Sequence, residues 1–65
     1  MKDPRVVRLR ALMAQDEDVR RVVRIVCDAQ GASSPDHLLD LDPEMLEEVL
    51  AEAESLVAQG SPYGT

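Results

Sequence analysis

Few residues in this chain have chemistry to offer, and most of them cluster by type. The single histidine, His37, sits in SSPDHLLDL with Asp36 beside it and Ser33 and Ser34 just upstream, which are the residue types of a nucleophile, base and orienter. A triad is assembled by geometry from separate elements, and neighbours along one short stretch do not build it. His37 therefore reads as an exposed polar residue of a short helix. Cys27, the only cysteine, falls near a helix C-terminus, where the dipole opposes the thiolate that a nucleophile needs. It reads as a small packed hydrophobe. No constellation of catalytic groups can be drawn, and the expectation is a protein that is not an enzyme.

Asp40, Asp42, Glu44, Glu47 and Glu48 crowd the stretch DLDPEMLEE. Calcium prefers such oxygen ligands, but the Asp-x-Asp-x-Asp-Gly ladder is missing, and proline and helical spacing send the carboxylates in different directions. One cysteine leaves too few soft ligands for zinc and excludes an internal disulfide. There is no glycine-rich phosphate loop either. The expectation is no metal and no cofactor.

The arginines are the sharper feature. VRRVVRIVC, residues 19 to 27, packs three arginines and five β-branched apolar residues into nine positions, and beyond it the chain has no further basic residue. Residues 1 to 30 carry seven basic against five acidic side chains, a net of +2, whereas residues 31 to 65 carry eight carboxylates and no Lys or Arg. If the first two helices pack antiparallel, Arg5, Arg8, Arg20, Arg21 and Arg24 form a stripe that suits a phosphate backbone. A pI near 4.5, no stacking aromatic outside the tail and the acidic second half argue against nucleic acid. The arginines are expected to face the chain's own glutamates, or those of a second copy. Exposed pairs of that kind contribute only about 0–1 kcal/mol each, so they set orientation more than stability.

These groups must be carried by elements that the sequence announces through its caps. Asp3-Pro4 starts a helix over residues 4 to 15, with Val6, Leu9 and Met13 at helical spacing and Val7 and Leu12 beside them. The acidic QDED, residues 15 to 18, reads either as one turn inside a long helix running to residue 29 or as a break with Asp16 capping a second helix over 17 to 30, and the break is favoured, since negative charge is stabilised in a first turn. Val19, Val22, Val23 and Val26 share its apolar face. GASSP ends that helix and opens a short helical turn from Ser34 to Leu41. Asp42-Pro43 starts the last helix, residues 43 to 59, with an apolar stripe of Leu46, Val49, Leu50, Ala53, Leu56 and Val57 before Gly60.

A chain of 65 residues buries only roughly 60% of the surface its unfolded form exposes, so its own core is marginal. Val7, Leu12, Ile25 and Met45 fall off the main stripes, which leaves apolar surface for a second interface. The start of the chain lacks the apolar run of a signal peptide, and no stretch approaches the roughly 18 apolar residues that cross a bilayer. A soluble, reducing, cytoplasmic setting is expected, and arginine's excess over lysine suggests a GC-rich bacterial or phage source.

The sequence thus predicts an all-α fold, a small three- to four-helix bundle completed by homodimerisation. Residues 1 to 60 form its single domain and 61 to 65 a flexible tail. Its expected function is that of a protein-interaction module, whether regulator, adaptor, inhibitor or accessory subunit. The partner would be another protein with a basic surface, met through an acidic and apolar helix face. Glu47, Glu48, Glu52, Glu54, Arg20, Arg21 and Arg24 are the candidate contact residues. The alternative is a nucleic-acid-linked protein, binding DNA through its arginines or mimicking DNA to block a DNA-binding protein.

Overall fold

Two aspartates turn the corners of this fold, and each does so with three groups at once. In the computed structural model, which describes residues 3–59, Asp16 is extended (φ −135°, ψ 122°) between α1 (Pro4–Gln15) and α2 (Glu17–Gln30). Its N–H donates to the Leu12 carbonyl and closes α1, while its Oδ1 accepts from the Asp18 amide at 2.8 Å and caps α2. Its carbonyl accepts from the Arg20 amide and begins the α2 ladder. Asp42 repeats the device between α3 (Pro35–Leu41) and α4 (Pro43–Gln59). Its N–H donates to the Leu38 carbonyl, its Oδ1 accepts from the Met45 amide, and its carbonyl accepts from Leu46. Free amides at a helix start are thereby satisfied within a single-residue connection.

The turn between α2 and α3 uses glycine instead. Gly31 adopts φ 76°, the left-handed region. Its N–H donates to the Asp28 carbonyl at 3.2 Å, and the Ala32 N–H donates to the Cys27 carbonyl at 2.8 Å. This paired arrangement reverses the chain and folds Ala32 back beside Cys27, both of them buried. Ser34 then accepts from the His37 amide through its Oγ and caps α3.

All four predicted helices are present with the expected bounds, α3 starting at Pro35 with Ser34 as its cap. The fold is all-helical among the described residues and every pair of helices is in contact. Gly60 and the expected tail at 61–65 lie outside the described residues.

The core takes one stripe from each element. Val6, Leu9 and Leu12 of α1, Val19, Val23 and Cys27 of α2, Leu38 of α3, and Leu46, Val49 and Ala53 of α4 are buried together with Ala32. Leu12 is a correction: read from the sequence as off the main stripe, it is 1% exposed. Buried positions 6, 9 and 12 advance by three, so the face of α1 turned inward is wider and rotated relative to one centred on Met13, which is only half-buried. Met45 also packs partly against the core, whereas Val7 and Ile25, at 49% and 61% exposure, face outward with Leu41. No polar or charged residue is buried among those described. Every described residue that carries charge is therefore at the surface.

Candidate functional site

The described interior is apolar, so the polar chemistry of the described residues is carried at the surface, where the pairing of charge distinguishes one helix from another. α1 spends its arginines on the acidic half of the chain. Arg5 lies across Asp3, with Nε and Nη2 each at 3.0 Å from a carboxylate oxygen, and reaches Glu47 Oε2 through Nη1 at 3.1 Å. Arg8 Nε donates to Glu54 at 3.2 Å, and Arg10 Nη2 to Asp36 at 2.6 Å. The forked hydrogen bonds from Arg5 hold the Asp3 carboxyl below its ordinary value, and the same bonds raise the Arg5 pKa.

The α2 arginines behave differently. Arg20, Arg21 and Arg24 have no carboxylate within ion-pair distance among the described residues, and the one hydrogen bond their side chains make there runs from Arg20 Nη2 to the Met13 carbonyl at 3.4 Å. Of the expectation that the arginines answer the chain's own glutamates or those of a second copy, the first part holds for α1 and not for these three. Helix contact alone does not make the difference, since α2 also packs on α3 and α4: Arg20, Arg21 and Arg24 are exposed positions off the buried Val19, Val23 and Cys27 stripe, and none comes within ion-pair reach of an α3 or α4 carboxylate.

Arg20 and Arg24, one turn apart, stand at the rim of a cleft of about 320 Å3. Val23 and Cys27 of α2 meet Ala32 and Pro35 of the following turn to form its apolar floor, and Asp28 supplies the one carboxylate of its lining. A second depression of about 250 Å3 lies among Glu17, Arg20, Arg21 and Arg24. Cys27 is 6% exposed, and its burial, with the adjacent Asp28 carboxylate, pushes the thiol pKa up. A thiol so placed stays protonated at neutral pH and packs as part of the floor.

On α4 the acidic candidates divide. Glu47 and Glu54 are engaged by Arg5 and Arg8, whereas Glu48 and Glu52, with Glu44, are exposed and have no basic partner among the described residues. His37 is half-buried, not exposed as expected. Its Nδ1 accepts from the Ser33 amide at 3.1 Å with the Ser33 hydroxyl 3.3 Å away, a local arrangement that pins the start of α3. Among the described residues no group of three or more His, Cys, Asp or Glu is placed to hold a metal ion.

Sequence reasoning singled out the α2 arginines but missed the cleft beneath two of them. The signal was present in Gly31. A left-handed glycine closing a helix folds the next residues back over its last turn, which brings Ala32 to Pro35 against Cys27. Comparison with known proteins adds no relative: no family model, no curated protein and no solved structure matches the chain.

Proposed function

We propose that this protein is a non-enzymatic protein-interaction module, a small regulator, adaptor, inhibitor or accessory subunit. It works through surfaces left charged after its own ion pairs are made. The observation that supports this reading is the amount of surface charge left without an ion-pair partner among the described residues, with a run of arginines in the middle of α2, between Glu17 and Asp18 at its start and Asp28 near its end, and a row of glutamates on α4. Arg20, Arg21 and Arg24 on α2 are unanswered, and so are Glu44, Glu48 and Glu52 on α4. Charge arranged in this way steers association and selects partners more than it adds stability. The exposed Val7, Ile25 and Leu41 supply apolar surface at which two copies of the chain pair, as a fold of this size with a marginal core favours.

The test is capture of partners by the tagged protein from a bacterial lysate, at low and moderate salt and with nuclease. Parallel captures use R20Q/R21Q/R24Q and E44Q/E48Q/E52Q. A protein partner that survives nuclease and is lost with one of the triple variants supports the module. The nucleic-acid reading is favoured by the unanswered arginines alone, and it predicts a different pattern: retention that disappears with nuclease and falls steeply as salt rises.

A further inference from the structure

We infer that the cleft between α2 and the Ala32–Pro35 turn binds an acidic segment of a partner protein. That segment seats an aliphatic side chain on the floor and places carboxylates on Arg20 and Arg24. The inference rests on the interaction-module reading and gives it one surface and one partner chemistry.

Three observations converge on that occupant. The first is charge: Arg5, Arg8 and Arg10 of α1 all have carboxylate partners, whereas Arg20 and Arg24 at this rim have none among the described residues. A guanidinium presents a fork of donors that matches a carboxylate in two parallel hydrogen bonds, and two guanidiniums one turn apart match acids at similar spacing. The second is the floor. Val23, Cys27, Ala32 and Pro35 offer no charged atom, so the ligand must bring an apolar group with its acid. The third is size. At about 320 Å3 the cleft is at the lower end of the roughly 300–1,000 Å3 typical of small-molecule sites. It admits a side chain or two and not an extended cofactor.

The same features disfavour nucleic acid. No aromatic side chain lines the cleft for a base to stack on. The nearby Cys27 serves as a built-in reporter, because an occupant on the floor covers its thiol.

The experiment uses the full chain and a synthetic helical peptide that places Glu and Leu on one face, labelled for fluorescence anisotropy. Two control peptides replace its Glu by Gln or its Leu by Ala. The Glu/Leu peptide is expected to bind and to slow alkylation of Cys27. The R20Q/R24Q variant is expected to weaken it by about tenfold or more, the scale of a lost charged anchor pair, with R21Q changing it far less. Circular dichroism of R20Q/R24Q checks that these exposed substitutions leave the fold intact. The inference is overturned if the Glu/Leu peptide does not bind, or if polyglutamate or an oligonucleotide binds as tightly. It is overturned equally if R21Q weakens binding as much as R20Q/R24Q, since general attraction to α2 would then explain the data. Loss of a captured protein in E44Q/E48Q/E52Q, together with failure of the peptide, would sink this site and leave the module reading standing.

Discussion

At Gly31 the choice between glycine and any other residue rests on the backbone angle alone. A Cβ built there meets nothing within 4 Å, yet φ is 76°. Space is free and conformation is not, so Gly31→Ala should cost about 1 kcal/mol in urea unfolding, with Gly31→Asn costing less because asparagine tolerates the left-handed region. Asp3 makes a second residue-scale prediction. Its carboxyl is held below the ordinary 3.8 by the hydrogen bonds from Arg5, so the folded chain gives up this proton more readily than the unfolded one. The stability it contributes is present above that ordinary value and is lost as pH falls through the lower folded value. Asparagine is as good a cap as aspartate but carries no charge. Asp3→Asn should therefore flatten the acid limb of a melting-temperature profile while leaving helix content unchanged at neutral pH. Cys27 shifts the other way: desolvation and Asp28 raise its pKa above 9.0, so alkylation of the folded protein at neutral pH should be much slower than that of the urea-unfolded chain.

At the scale of elements, the aspartate corners explain why so much of the fold was legible. Asp-Pro at 3–4 and 42–43, Ser-Pro at 34–35 and Gly31 mark helix ends through local chemistry, and local chemistry is what a sequence displays directly. Asp16 was the harder case, because its acidic stretch also reads as one turn inside a long helix running to residue 29, and the structure resolves it through the carboxylate cap on Asp18. Replacing Asp16 or Asp42 by alanine should each lower unfolding free energy by about 0.5–2 kcal/mol, measured in urea, with the asparagine variants close to wild type. The candidate site was less legible, and for a physical reason. Which arginine meets which glutamate depends on how helices lie against one another, and periodicity fixes the face of a helix without naming its neighbour. Arg8 and Arg20 look alike in the sequence, but only Arg8 comes within ion-pair distance of a glutamate of α4, at Glu54. The cleft escaped for the same reason, since its floor joins α2 to a turn that becomes its neighbour only after Gly31 reverses the chain.

For the whole molecule, size sets the terms. Stability of about 0.05–0.15 kcal/mol per residue gives a chain of 65 residues roughly 3–10 kcal/mol in all. A core substitution such as Leu9→Ala removes about 2–5 kcal/mol of that, because Leu9 is fully buried among stripes from all four helices. The exposed ion pairs of α1 offset little of such a loss. Association would add stability to so small a fold, and Ile25, at 61% exposure on the same helix as the unanswered arginines, is the apolar side chain with most to gain from it. If two copies pair there, unfolding is coupled to dissociation, and the melting temperature rises with protein concentration. Ile25→Glu should then abolish that concentration dependence and reduce the mass seen by light scattering to that of one chain, while helix content at low temperature stays the same. A melting temperature that is flat across concentration for the unsubstituted protein, with a monomer mass at tens of micromolar, would remove homodimerisation. Ile25 would then be left as exposed apolar surface beside the α2 arginines, open to the partner proposed for them.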